Sequence, residues 1–136
     1  MKKAVIVLPT YNESHDIEKL IHAIFETVKN IPHWHFKITV VDSSSPDGTE
    51  TIVEKLMKTY PDLHLVKTKK EGLGKAYVTG FTYALEHFKP DVFFEMDADF
   101  SHDPTAIPEF IKKIDEGADF VIGSRYRNGG SIPKEW

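Results

Sequence analysis

Phe93-Phe94-Glu95-Met96-Asp97-Ala98-Asp99-Phe100-Ser101-His102 is the stretch on which the reading of this chain turns. It opens as an apolar run, which reads as a buried strand over Val92–Met96. It closes on two aspartates one residue apart. Alternate residues of a strand share a face, so Asp97 and Asp99 point together from the strand's end. Paired hard carboxylates suit Mg²⁺ or Mn²⁺, and such an ion suits a diphosphate. A lone Asp-x-Asp is also what a solvated loop carries, so the decision rests on what the rest of the chain brings to the same place.

Working outward, strands alternate with helices. Ala4–Leu8 reads as a first strand buried on both faces, followed by the turn Pro9-Thr10-Tyr11-Asn12-Glu13. Ser14 is placed to cap a helix carrying Ile17, Leu20, Ile21, Ile24, Phe25 and Val28 at helical spacing. Phe36–Val41 is a second strand, ending in the turn residues Asp42-Ser43-Ser44-Ser45-Pro46-Asp47-Gly48. A second helix runs from Thr49 with Ile52, Val53, Leu56, Met57 and Tyr60 inward, and Leu63–Lys67 is a short third strand. Gly72-Leu73-Gly74 opens a third helix, whose Gly74, Ala76, Gly80 and Ala84 allow close approach to a sheet. Asp103-Pro104 starts a fourth helix, with Pro in the first turn where its missing N–H does no harm. Phe120–Gly123 is a fifth strand, leading to Ser124-Arg125-Tyr126-Arg127.

This alternation predicts an α/β fold, a three-layer α/β/α sandwich around a mostly parallel sheet. Its 136 residues suit a single domain. Open parallel sheets bind ligands beyond the carboxyl ends of their strands. The polar clusters Pro9–Glu13, Asp42–Gly48, Asp97–His102 and Ser124–Arg127 all fall at such ends. Four clusters on one rim weigh far more than one Asp-x-Asp.

Composition sets bounds. A net charge of −4 gives no basic field for nucleic acid. The absence of cysteine excludes disulfides and thiolate metal sites and fits a reducing compartment. Ala4–Leu8 is too short for a signal-peptide core or a membrane span. An aspartyl-nucleophile phosphatase also uses Asp-x-Asp, but normally after its first strand, where this chain has Pro9-Thr10-Tyr11. A dinucleotide-binding dehydrogenase would need a glycine fingerprint there, and none is present.

Taken in order, Leu8-Pro9-Thr10-Tyr11-Asn12-Glu13, Ser45-Pro46-Asp47-Gly48-Thr49, Gly72-Leu73-Gly74, Met96-Asp97-Ala98-Asp99 and Gly123-Ser124-Arg125-Tyr126 resemble family 2 glycosyltransferases of the GT-A fold. Within that family the resemblance is to the dolichol-phosphate (polyprenyl-phosphate) mannosyltransferases, and it covers essentially the whole chain. It implies metal-assisted, inverting transfer of a sugar, mannose from GDP-mannose, to a polyprenyl or dolichyl phosphate. Carried over by residue, Pro9, Tyr11, Glu13, Val41 and Asp42 would form the nucleoside pocket, with Ala98 against the donor. Asp97, Asp99 and Ser101 would hold Mg²⁺ or Mn²⁺, Ser101 where the family often has Gln. Asp97, Asp99 and Arg125 would be catalytic, Arg125 meeting the donor phosphates. Ser43 stands where the family has a second acidic residue.

The resemblance also implies a sheet order 3-2-1-4-6-5 and a catalytic domain longer than this chain. The expectation is therefore of a fragment holding the nucleotide half and lacking most of the acceptor half. An inactive nucleotide-binding fragment that self-associates through its incomplete sheet, or pairs with a partner chain, is the competing reading. The lipid acceptor implies a peripheral position on the cytoplasmic side of a membrane. Of the lesser features, Lys67, Lys69 and Lys70 read as a solvated strand end. Gly72 and Gly74 read as backbone packing, Asp47-Gly48 as turn chemistry and the scattered histidines as surface residues. Arg127 is a weak candidate for facing the lipid phosphate.

Overall fold

The computed structural model describes residues 1–98 and 103–117. Four strands, β1 (Lys2–Thr10), β2 (Trp34–Asp42), β3 (Leu63–Lys67) and β4 (Val92–Glu95), form one sheet in the order β3-β2-β1-β4. Every neighbouring pair is parallel. Helices α1 (Ile17–Val28), α2 (Thr49–Met57), α3 (Leu73–His87) and α4 (Ile107–Asp115) connect and cover the strands, with a single 3-10 turn at Pro104–Ala106 leading into α4. The first four expected strands are present, β1 and β2 longer at both ends than the apolar runs alone indicated. The order matches the 3-2-1-4 part of the expected sheet. The fifth strand, Phe120–Gly123, lies outside the described residues.

Strand alternation sorts the core into two layers. Ala4, Ile6 and Leu8 of β1, with Phe36, Ile38 and Val40 of β2, face Ile17, Leu20, Ile21 and Ile24 of α1, Val53 of α2 and Ile107 and Ile111 of α4. Val5, Val7 and Val41 face Ala76 and Ala84 of α3. The central strand is buried on both faces because helices cover both, as an all-parallel sheet requires. The α3 layer is thin by necessity. A Cβ at Gly80 would sit 2.5 Å from Val7 Cγ1 and 3.0 Å from Val41 Cγ2, so only glycine lets the helix lie this close.

Four local expectations are corrected. Helix α1 starts at Ile17 behind Asp16, and Ser14 does not cap it; the Ser14 N–H donates instead to Asp47 Oδ2, 3.0 Å away. Met57, expected inward, is the last residue of α2 and faces outward. A Cβ at Gly74 would meet nothing within 4 Å, so it is not a packing glycine. His64 is half-buried rather than a surface residue, its ring 4.5 Å from that of Phe88.

Candidate active site

The carboxyl ends of β1, β2 and β3 are tied to one another. Ser43 N–H donates to the Thr10 carbonyl at 3.0 Å, and Thr68 N–H to the Asp42 carbonyl at 2.9 Å. At the centre of this knot is Asp42, with no exposed surface. Its Oδ1 accepts from the hydroxyls of Thr10 and Ser45, each at 2.6 Å, and its Oδ2 from Ser45 N–H at 2.9 Å. A buried carboxylate demands such donors. The neighbouring Glu50 carboxyl is pushed above its ordinary range, first by its hydrogen bond with Asp42 and then by burial.

That knot shapes the turn after β1. Ser45 Oγ accepts from Asn12 N–H at 2.9 Å, Thr49 Oγ1 from Glu13 N–H at 3.1 Å and Asp47 from Ser14 N–H. Asn12 and Ser44 both take left-handed backbone conformations, φ 57° and 59°, which non-glycine residues seldom do without surrounding support. Three successive backbone amides fastened to the second loop supply it here. Asp47 itself would be raised by burial, but hydrogen bonds from Thr49 and Ser14 outweigh this and bring its pKa down to about 2. Turn chemistry is therefore its role, as expected.

Above this scaffold opens a cavity of about 290 Å³, close to the lower end of the usual range for small-molecule sites. Pro9, Thr10, Tyr11 and Glu13 from the first turn form one wall with Ser43. Lys70, Gly72, Leu73 and Ala76, from the approach to α3 and its first turns, form the second. Asp97 and Ala98, from the end of β4, complete it. Residues nearly ninety positions apart thus meet at one rim of the sheet, where parallel topology places binding sites.

Of the predicted site residues, Pro9, Tyr11, Glu13, Asp97 and Ala98 come together in this cavity. Val41 and Asp42 do not reach its wall. Val41 is spent against α3 beneath Gly80, and the oxygens of Asp42 on the knot. Asp42 acts on the cavity through Ser45 and the first turn. Ser43 occupies the place on the wall that follows it. Asp99, Ser101 and Arg125 lie outside the described residues.

Three contributions were not anticipated. Lys70, read as a solvated strand-end lysine, lines the cavity with its ammonium 3.9 Å from the centroid of the Tyr11 ring. Tyr77 of α3 donates its hydroxyl to Asp97 Oδ1 at 3.2 Å. Gly72 lines the wall at φ 98°, a backbone state that favours glycine, so conformation and not packing explains it. The Lys-x-Gly-Leu-Gly spacing was the available signal for the first and last. Burial, and then the Asp97 carboxylate, hold the Glu95 carboxyl above its ordinary range.

The glycosyl transferase family 2 model matches residues 5–136. The chain belongs to that family. This family 2 domain is 38% identical over 130 residues to a dolichol-phosphate mannosyltransferase of Pyrococcus furiosus, covering 96% of this chain and 35% of that one. It is 37% identical over 137 residues to a polyprenol monophosphomannose synthase of Mycolicibacterium smegmatis, covering 99% and 49%. The chain therefore spans about a third to a half of the length of these curated relatives. Among solved structures it resembles the mannosyltransferase PcManGT of Pyrobaculum calidifontis, in complex with GDP-Man and Mn²⁺, at 31% identity and TM-score 0.57, covering 71% of this chain and 27% of that one. It also resembles TarS 1–349 of S. aureus in complex with UDP-GlcNAc, at 29% identity and TM-score 0.63, covering 85% and 32%. The fold is that of the GT-A glycosyltransferases.

Proposed function

We propose that this family 2 domain takes part in transfer of mannose from GDP-mannose to a polyprenyl phosphate. The observation that carries the reading is the meeting of Pro9, Tyr11 and Glu13 with Asp97 and Ala98 in one cavity at the carboxyl rim of the sheet. The mannosyltransferase names of its relatives, and a solved neighbour holding GDP-Man and Mn²⁺, support the choice of donor.

In this reading Pro9 and Tyr11 give the nucleoside an apolar wall, and the Glu13 carboxylate accepts from its hydroxyls. Ser43 offers a hydroxyl on the same wall. Asp97 brings a hard carboxylate oxygen to the cavity, the donor type that Mg²⁺ or Mn²⁺ takes. Among the described residues there is no group of three carboxylate or imidazole side chains set to hold a metal; Asp99 and Ser101 would complete the set with Asp97. The ion, when bound, would neutralise charge on the departing diphosphate.

The acceptor phosphate is anionic near neutral pH, the second pKa of a phosphate monoester being about 6, so no side chain need remove a proton. A phosphate oxygen forms its bond to the anomeric carbon as the bond from that carbon to the diphosphate breaks. The electron pair leaves with the nucleotide, and the sugar carbon is inverted. Catalysis is then positioning and electrostatics. The acceptor is a lipid, so the reading places the protein at a membrane surface; no helix among the described residues is long and apolar enough to cross one.

Calorimetric titration of the protein with GDP and Mn²⁺ tests the reading. Binding that requires Mn²⁺ and is lost in Asp97→Ala is expected. Absence of GDP binding by the unaltered protein, or equal binding by Asp97→Ala, would overturn it. Turnover of GDP-mannose with polyprenyl phosphate, measured alongside, tests the acceptor.

A further inference from the structure

We infer that Lys70 is a further donor-binding residue, its ammonium meeting the diphosphate of the bound nucleotide; this rests on the transferase reading above. Lys70 is placed in the cavity to meet a ligand's negative charge. The cavity wall carries two carboxylates, Glu13 and Asp97, and Lys70 is the one lysine or arginine among its described lining residues. A nucleoside diphosphate enters with several negative charges of its own. An ammonium on the wall attracts those charges.

Lys70 is held differently from Lys67 of the same segment. Lys67 is paired with Glu50 and Glu54, at 3.8 and 3.3 Å. Lys70 forms no ion pair among the described residues and rests instead over the Tyr11 ring, 3.9 Å from its centroid. Tyr11 is itself 37% exposed and lines the same cavity. A cation–π contact at an exposed site is weaker than a charge-assisted hydrogen bond to a phosphate. Lysine is a compact charge on a flexible stem. An arriving diphosphate therefore draws the ammonium off the ring. The same movement uncovers the Tyr11 face for the nucleoside, so one side chain guards the platform when the cavity is free and grips the ligand when it is full.

A phosphate partner fits better than the base. The base is neutral and offers only partial charges, whereas the diphosphate presents full ones. Lys70 also shares the cavity with Asp97, the residue at the proposed diphosphate end.

The test is calorimetric binding of GDP, GMP and guanosine, with Mn²⁺ present, to the unaltered protein, Lys70→Met and Lys70→Arg. Methionine keeps the stem and removes the charge; thermal unfolding confirms that each variant is folded. Lys70→Met is expected to weaken GDP by about tenfold or more, GMP by less and guanosine not at all, with Lys70→Arg close to the unaltered protein. Added salt should weaken GDP less in Lys70→Met. Unchanged GDP affinity in Lys70→Met, or equal losses for GDP and guanosine, would overturn the inference. If the unaltered protein binds none of the three, the transferase reading itself fails; if it binds GDP and Lys70→Met binds as well, only the role of Lys70 fails.

Discussion

The Tyr77 hydroxyl donates to Asp97 Oδ1 across 3.2 Å, so the helix on one face of the sheet holds the carboxylate at the end of β4. Tyr77 is braced in turn by Phe81, ring to ring at 6.0 Å, and Phe81 by Phe93 of β4 at 4.8 Å. The strand and the helix thus fix the same oxygen from two directions. Partners that orient a metal-ligating carboxylate commonly matter for affinity by about 10–100-fold. Tyr77→Phe removes the hydroxyl and keeps the ring. It should weaken Mn²⁺ binding in the presence of GDP by about tenfold while leaving the unfolding temperature near its original value. A Mn²⁺ titration superimposable on that of the unaltered protein would refute this.

Two glycines of α3 should respond to alanine in opposite directions. At Gly80 the new methyl group collides with Val7 and Val41, both fully buried. Overpacking of this kind costs about 1–3 kcal/mol, against a helical gain of about 1 kcal/mol for alanine over glycine. A methyl group at Gly74 would meet nothing within 4 Å, so there the helical gain stands alone. Urea unfolding should show a lower midpoint for Gly80→Ala and a higher one for Gly74→Ala. Like shifts in both would mean that α3 does not lie as close to β1 as described.

His64 should make the fold sensitive to mild acid. Its Nε2 is buried with no hydrogen-bond partner among the described residues. Burial first, and then the charge of Lys37, hold its pKa below 6.5, with Asp62 opposing and His87 adding. The unfolded chain thus takes up a proton more readily than the folded one. Its contribution to stability is complete above about pH 6.5 and is lost as pH falls through the lower folded value. Urea midpoints followed from about pH 7.5 down to about pH 5 should fall, and His64→Leu should flatten part of that slope. An identical slope in the variant would assign the effect to other groups.

Asp47 acts at lower pH and by the ordinary carboxylate rule. Its pKa of about 2 lies below the unfolded value of 3.8. The stability it contributes is present above about pH 3.8 and disappears as pH drops through 2. Asp47→Asn should weaken the protein near neutral pH and remove that acid-dependent step, because the amide supplies fewer acceptors for Ser14 N–H and Thr49. Loosening of this joint should also weaken GDP binding, since Ser14 directly follows Glu13. Unaltered acid unfolding in the variant would count against the assignment.

Much was legible because it is local. The apolar runs at Ala4–Leu8, Phe36–Val41 and Leu63–Lys67 and the helical spacing from Ile17 to Val28 report burial, and burial follows directly from periodicity. Helix ends were less legible. Ser14 looks like a cap in isolation, but its amide is taken by Asp47, thirty-three residues away. The site was partly legible for the same reason. The convergence of the clusters Pro9–Glu13 and Asp97–His102 follows from strand ends in a parallel sheet, while the choice of Pro9, Tyr11, Glu13 and Ala98 within them is what the family resemblance implies.

By itself, then, the chain's pattern of apolar and polar residues determined the α/β/α layering, the parallel strands and the rim that carries the polar clusters. Only the tertiary structure decided which rim residues face the cavity and which support it. Asp42 and Ser43 are neighbours in sequence, yet alternation at a strand end buries the first in a knot of hydroxyls and turns the second to the wall. Lys70 and Tyr77 join the site through contacts with Tyr11 and Asp97, residues twenty or more positions away. Spacing marks Lys70 but encodes neither pairing, because each depends on how separate strand ends and the start of α3 are brought together in space.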